Sequence, residues 1–564
     1  MHSVSQTLVV IPTAGRVPAE LVPFTQSRHS AMVRLQRKPV IYWTMEYLLR
    51  EGFCHFAFAV ERPNNIVQSF VEHLAGWRSQ LYFARPEADR GVAYSILCAI
   101  EKALRSGQVF QNILIVLGDT YFQFPAASDF SRSFVLTSPF DSTRDEARDW
   151  CLLKSDPVSG EILEYRNKLP HVQEDKLKIV AGVYFFTQPQ VLHQALQHVD
   201  QAQAGPHSGE LHQVLERYAE SDRLFAVPCQ EWYDCGHLAN LMRSEEKMVK
   251  ERAFNAIHLD KVRGVVTKSS SHTSKLGDEI AYYQALPSQL SCLFPRVLEV
   301  SPRRDSMDLE FYGYPSLSDS FVFDSLHPRI WEQVFVKLRA ILGLFQEVQV
   351  PEKSTVARHF RAIYLDKTRE RLELLRTQDA FWSQLLDLPD IQLNGIKLRN
   401  LDGMLAGIEE LCPSLARPQD YSVIHGDLCF SNILYDIPTG TCRLIDPRGS
   451  FGEPGIYGDI KYDVAKLSHS VRGSYDFIIN DLFHVEYQEG DLQCRVYNHN
   501  AEVRHIFEEI FLGEGGFSKR EIQLIEGLLF VSMVPLHTES RQRQLAMFAT
   551  GLERLNSVLE EAAV

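Results

Sequence analysis

The chain has 564 residues, 45% of them hydrophobic, 11% aromatic and 23% charged. At roughly 150 residues per domain this length suggests three or four structural units, and the composition excludes a mainly disordered, collagen-like or coiled-coil chain. With 58 Lys and Arg against 72 Asp and Glu the formal net charge is −14, which argues against broad attraction to nucleic acid or an anionic membrane, so an anionic substrate has to be held locally.

From the N-terminus, TLVVIP (7–12), CHFAFAV (54–60), QLYFA (80–84) and NILIVL (112–117) read as short β-rich runs. Residues 40–51, 66–75 and 92–105 between them read as helices. Such alternation predicts a parallel sheet covered on both faces. Ligands bind outside the carboxyl ends of its strands, which points to the loops after Pro12 and Leu117.

A charged helix near residues 245–252 closes the pattern, and the chain restarts with a strand at 264–268 and a helix at 274–286. We therefore place a boundary near residue 252 and divide the chain into 1–252, 253–327 and 328–564. The last part is expected to be helical, broken by one strand and loop segment, YSVIHGDLCFSNILYD (421–436) and TCRLIDPRG (441–449). The longest apolar stretch, near 527–536, is far short of the roughly 20 residues that span a bilayer. Ten Cys with no C-x-x-C pair argue against a zinc site or a disulfide framework. A cytoplasmic protein without signal peptide or membrane anchor is expected.

Phosphoryl transfer needs a carboxylate to orient and deprotonate the attacking hydroxyl, and Mg²⁺ to neutralise phosphate charge. His425-Gly426-Asp427, with Asn432 five positions on and Asp446 after the next strand, offers these groups in a strand, loop and strand setting. Asp427 suits the base role, and Asn432 and Asp446 are hard oxygen ligands for Mg²⁺. The pattern resembles the aminoglycoside phosphotransferase and choline kinase family over roughly residues 253–480. That resemblance implies a protein-kinase-like α+β bilobal domain using ATP and Mg²⁺. Lys268 of RGVVTKSS would hold the nucleotide phosphates and Glu279 of the next helix would position it, with Lys275 the rival lysine. HLDKVRG (258–264) has a single Gly where a glycine-rich phosphate loop would stand. Asp463 of DIKYDVAKL is expected to cap its helix, and Arg448 of IDPRG to contact an anionic group on the acceptor or a phosphate.

The first half resembles the sugar-1-phosphate nucleotidyltransferases over roughly residues 5–245. VVIPTAGR (9–16), DRGVAYSILCAIEKA (89–103), LGDTYF (117–122), AGVYFF (181–186) and WYDCGHLANL (232–241) carry the likeness, in that order. It implies an α/β, Rossmann-like (GT-A-like) sheet in which Asp119 and Asp234 hold Mg²⁺ beside a second NTP. Gly15 and Arg16 would meet the nucleotide, and Lys168 of RNKLP the acceptor phosphate. One glycine of the family's Ala-Gly-x-Gly-x-Arg loop is missing, and His29-Ser30 stand where its Pro-Lys pair falls. Arg16 or Arg28 is placed to substitute, since either can bind phosphate in a bidentate fork.

The two halves together imply a bifunctional enzyme. One phosphorylates a small-molecule hydroxyl on a sugar, polyol or amino alcohol; the other couples the phosphate to a nucleotide, giving an activated precursor for surface polysaccharide or glycan. The partners expected are small-molecule acceptors and nucleotides, with no nucleic acid and no membrane insertion, and with a homo-oligomer allowed. The alternative is an active kinase carrying a silent nucleotide-sugar-binding module; a GT-A glycosyltransferase is disfavoured because LGDTY lacks Asp-x-Asp.

Overall fold

A computed structural model describes residues 4–563 except 20, 22–28, 37, 62–65, 77, 88–89, 127, 144, 171, 173–175, 202–209, 252–256, 261, 271–272, 325, 351–355 and 499. Arg28 and Asp89 lie outside the described residues. Length alone suggests three or four units, but the chain divides into two compact ones, Met1–Ala253 and Phe254–Val564. The small apolar cluster of Leu276, Ile280, Met307 and Leu309 is too slight a core for a further unit to stand alone.

In the N-terminal unit β1 (Thr7–Pro12), α1 (Val40–Arg50), β2 (His55–Ala59), α2 (Ile66–Ala75), β3 (Gln80–Ala84), α3 (Val92–Leu104) and β4 (Asn112–Val116) alternate. Then follow β5 (Thr120–Gln123), β6 (Phe134–Pro139), β7 (Cys151–Ser155), β8 (Ile162–Asn167), β9 (Lys178–Phe186), α4 (Pro189–Gln201), α5 (Leu211–Ala219), β10 (Phe225–Pro228), β11 (Glu231–Asp234) and α6 (Leu238–Glu251). The main sheet runs β8-β7-β9-β4-β1-β2-β3, with β6 on β9 and β10 on β6. Strands β4, β1, β2 and β3 are parallel, and β9 is antiparallel to β4. Alternating apolar runs and amphipathic helices give this result because each crossover returns the chain to the same sheet edge. All five residues of β4 are buried, as expected for a strand covered on both faces. Ile96, Ile100, Leu192, Leu196, Val214 and Tyr218 from the helices close one face.

The C-terminal unit opens with β12 (Ile257–Asp260), β13 (Val265–Ser269), α7 (Thr273–Ala285), β14 (Val297–Val300) and β15 (Ser306–Glu310), an antiparallel sheet in the order β12-β13-β15-β14. Next come α8 (Pro328–Glu347), α9 (Lys367–Gln378), β16 (Asp390–Leu393), β17 (Ile396–Arg399), β18 (Tyr421–Val423), β19 (Ile433–Asp436), β20 (Thr441–Leu444), β21 (Tyr457–Asp459) and α10 (Ile460–Val471). The last elements are β22 (Phe483–Gln488), β23 (Asp491–Val496), α11 (Lys519–Met533) and α12 (Arg541–Ala563). Helix α10 is buried along its whole length, packed on α11, which in turn meets α9 and α12.

The expectation of helix broken by a single strand segment after residue 328 is corrected by a four-stranded sheet, β17-β16-β23-β22. Its strands are short and half-polar, so no apolar period announces them. The turn residues do: Asn394-Gly395 and Glu489-Gly490, all at positive φ, join two hairpins of the tight two-residue kind. No helix among the described residues is long and apolar enough to cross a membrane.

Candidate functional site

In the N-terminal unit the chain leaves β1 at the sheet's carboxyl edge, where Thr13 donates to the Ala59 carbonyl at 2.8 Å. Gly15, Arg16 and Ser30 then line a cavity of about 640 Å³ together with Glu61, Gly118 and Asp119. Arg16 is exposed, with its guanidinium 2.9 Å from Glu61.

Asp119 sits in the turn between β4 and β5. The β5-β11 pairing sets Thr120 opposite Asp234, which brings the two carboxylates to one place. A Cβ on Gly236 would lie 2.6 Å from Asp119 Oδ2 and 3.4 Å from Asp234 Oδ1, so both carboxylates pack against Gly236 and only a residue without a side chain leaves them room. Burial, reinforced by the charge of Asp234, pushes the Asp119 carboxyl up to about 6. Asp234 is fixed by His237 Nδ1 and Asn240 Nδ2, each at 2.9 Å, and by the Gly236 N–H at 3.3 Å. The Asp234 hydrogen bond raises the imidazole of His237 more than burial lowers it.

These carboxylates also line a second cavity of about 430 Å³ with Trp150, Lys168, Glu210, Trp232 and His237. Lys168 has positive φ; its N–H donates to the Trp150 carbonyl at 2.9 Å, and its ammonium is 3.7 Å from Glu210. Gly15, Arg16, Asp119, Asp234 and Lys168 thus surround two cavities that meet at Asp119. His237 and Asn240 were not singled out from sequence, although their place just after Asp-x-Gly was the available signal.

In the C-terminal unit β13 carries Lys268, whose Nζ lies 2.6 Å from Glu279 Oε2 on α7 and 2.9 Å from Asp446 Oδ1. Lys275 is exposed and makes neither contact. Burial tends to lower Lys268, but Asp446 and Glu279 outweigh it and hold the ammonium above its usual range. Burial pushes Glu279 up to about 7 against the pull of Lys268. Asp446 has φ of 56°, unusual for a side chain other than glycine and a form of stored strain common at functional sites. At Gly449 a Cβ would be 2.3 Å from the Asp278 carbonyl, so only glycine lets the Asp446 loop lie this close to the helix bearing Glu279.

His425 is fully buried and pushed down to about 4 by burial. Its neutral ring donates through Nε2 to the Ile445 carbonyl at 2.9 Å and accepts the Asp427 N–H at Nδ1, 3.2 Å. Asn432 Nδ2 donates to the Asp427 carbonyl at 2.9 Å and to Oδ2 at 3.3 Å. Burial would raise Asp427, but Lys466, 2.8 Å from Oδ1, and then His425 and Arg448 bring its carboxyl below the ordinary range.

Asp463 is not the helix cap expected from sequence. Asp459 caps α10 by accepting the Lys461 N–H at 3.0 Å. Asp463, one turn in, accepts the backbone N–H groups of His425 at 2.6 Å and Gly426 at 2.9 Å. A buried pair of otherwise orphaned donors explains the choice. Lys466 was missed, though its position three residues after Asp463 puts both on one helix face.

Residues 14–251 match the nucleotidyl transferase family model, and the N-terminal unit carries that α/β fold. Three solved structures are similar to part of the chain. UDP-glucose pyrophosphorylase complexed with UDP-glucose is 15% identical, covering 44% of this chain and 99% of its own, with a TM-score of 0.36. UTP-bound UGPase from Acinetobacter baumannii is 13% identical, covering 44% and 95%, with a TM-score of 0.34. The nucleoside-diphosphate-sugar pyrophosphorylase from Vibrio cholerae RC9 is 18% identical, covering 42% and 99%, with a TM-score of 0.35. A comparison with curated proteins gives no match.

Proposed function

We propose that the chain is a bifunctional enzyme: residues 253–564 phosphorylate a hydroxyl of a small molecule with ATP, and residues 1–252 couple that phosphate to an NTP. The observation that carries the reading is the convergence of Lys268, Glu279 and Asp446 with Asp427 and Asn432 in the C-terminal unit. In this reading residues 253–327 form the nucleotide lobe and 328–564 the helical lobe of a protein-kinase-like domain.

Asp427, kept ionised by Lys466, is the base. The acceptor oxygen bonds to the γ-phosphorus, its proton passes to the Asp427 carboxylate, the bond to the bridging oxygen breaks, and ADP leaves. Lys268, steadied by Glu279, faces the nucleotide phosphates. Asn432 and Asp446 are hard oxygen donors beside them, a set that fits Mg²⁺. Asp119 and Asp234 fit Mg²⁺ likewise, since two carboxylates line one cavity and offer hard oxygen donors. When bound, Mg²⁺ would neutralise phosphate charge in each half. In the N-terminal unit an acceptor phosphate oxygen attacks the α-phosphorus and pyrophosphate leaves, with Lys168 beside the acceptor phosphate and Gly15 and Arg16 beside the nucleotide. The product is an NDP-activated building block of the kind used for surface glycans.

The Arg16 to Glu61 ion pair favours a second reading, in which the N-terminal unit binds a nucleotide sugar without turning it over. Measuring ADP formation and pyrophosphate release on the same full-length protein, with a panel of NTPs, acceptors and acceptor phosphates, tests both. Absence of pyrophosphate with every NTP would overturn the bifunctional reading and leave the binding module.

A further inference from the structure

Beside Asp427 lies a group of cations of which the proposed ATP chemistry uses only Lys466. Tyr462 on α10 is buried at 1% exposure, and Arg448 Nη1 donates to its hydroxyl at 2.9 Å. Lys466 is one turn further along α10, on the same face, 2.8 Å from Asp427. The ring of Tyr364 packs 6.2 Å from that of Tyr462, and Lys367 follows it at the start of α9, with Arg371 a turn later.

The charges of these groups bear on one another. Burial alone would raise the Tyr462 hydroxyl, yet Lys367, Arg448 and Lys466 hold it below its ordinary range. The Lys367 ammonium is drawn up by Tyr462, but burial and the charges of Arg448, Lys466 and Arg371 together keep it low. Among the described residues Lys367, Arg371 and Arg448 make no ion pair. The nearby carboxylates have partners already: Asp427 with Lys466, Asp446 with Lys268, Asp459 with Lys461, Asp366 with Arg361, Asp463 with two backbone N–H groups.

Crowding three cations that have no ion pair of their own is costly in a part-buried setting, and the arrangement is relieved by an anion. In the proposed reading the nucleotide phosphates are served by Lys268, which is paired with Glu279 and Asp446. We propose that Lys367, Arg371 and Arg448 form an anion site for the acceptor, so that the kinase half takes a small hydroxy compound bearing a carboxylate or phosphate. The inference rests on the kinase reading and names the substrate class of that site. The anion stays bound while the hydroxyl oxygen bonds to the γ-phosphorus, its proton goes to Asp427 and ADP departs.

The test uses the full-length protein and four probes on one three-carbon skeleton: glycerol, serinol, glycerate and glycerol 3-phosphate. ADP formation is followed with each, and binding of each without ATP is measured by calorimetry. Glycerate or glycerol 3-phosphate should exceed glycerol and serinol in kcat/KM by at least about 10-fold. Lys367→Gln should raise the KM for the anionic probe by about 10- to 100-fold, the loss expected for a charge-assisted contact, with KM for ATP unchanged. Lys367→Arg should retain most of the affinity. Preference for glycerol or serinol, a rise in KM for ATP instead, or anion binding indifferent to Lys367→Gln would overturn the proposal. Anion binding that depends on Lys367 but yields no ADP would keep the anion site and overturn the kinase reading alone.

Discussion

Nζ of Lys466 lies 2.8 Å from Oδ1 of Asp427, which gives the base of the proposed kinase reaction a counter-charge supplied from α10. Asp427→Asn should lower kinase turnover by about 10² to 10⁴ while leaving ATP binding nearly intact, since the base is lost and the phosphate contacts stay. Wild-type turnover in the purified variant would refute the assignment of Asp427.

Removing the counter-charge acts through pH. Lys466 lowers the Asp427 carboxyl, and a base works only when ionised, so a lower pKa extends activity to lower pH. Lys466→Met should therefore move the acid limb of the kcat/KM profile to higher pH. A limb at the wild-type position would show that Lys466 does not set the ionisation of Asp427.

The two aspartates flanking this site should fail differently. Asp463→Ala leaves the N–H groups of His425 and Gly426 without acceptors in the interior, at a cost of about 1–3 kcal/mol each, so denaturant unfolding should show a clear loss of stability with no change in Mg²⁺ requirement. Asp446→Ala should raise the Mg²⁺ needed for half-maximal rate and change stability little. Matching Mg²⁺ titrations in the two variants would remove this distinction.

Gly236 gives a test confined to the N-terminal unit. In Gly236→Ala the new methyl meets Asp119 Oδ2 at 2.6 Å, so the carboxylate has to swing away from Asp234. Pyrophosphate release should fall by about 10² or more, as for a misplaced metal ligand, while ADP formation continues at the wild-type rate. Parallel loss of both activities would contradict independent sites.

Glu279, raised to about 7 by burial, should take up a proton as pH falls below that value, and Lys268 then loses a charged partner. The KM for ATP should rise between pH 7.5 and 6, and Glu279→Gln should flatten the dependence. A flat wild-type profile would count against a positioning role for this carboxyl.

The N-terminal sheet was readable because its apolar runs and helices alternate at their own periods, and because Asp119 follows a buried strand. Asp427, Asn432 and Asp446 stand out in the sequence by their motif and spacing, and the structure brings Asn432 to Asp427 and Asp446 to Lys268. What sequence concealed were partnerships across long stretches of chain. Asp463 looks like a first-turn cap until His425, 38 residues earlier, is seen to need an acceptor, and the cap is Asp459. Lys466 and Lys367 look like ordinary helical lysines until packing sets them beside Tyr462. The β16-β17 hairpin was announced by Asn394-Gly395 but lay in strands too short and polar to register as a period.

The hairpin of β19 and β20 joins the two ends of the proposed phosphate-handling loop. The Ile445 N–H donates to the Asn432 carbonyl at 3.0 Å, and Leu444 N–H to the Leu293 carbonyl at 2.8 Å, while the His425 ring spans to Ile445. Asp427, Asn432 and Asp446 are thereby tied into one frame, and in the proposed kinase reading a nucleotide would not enter by spreading them apart. In that reading the yielding part would be the thin sheet bearing Lys268, which rests on a small apolar cluster. Amide exchange should accordingly be slow over residues 421–449 and faster over 257–269, with ATP protecting the second stretch far more than the first.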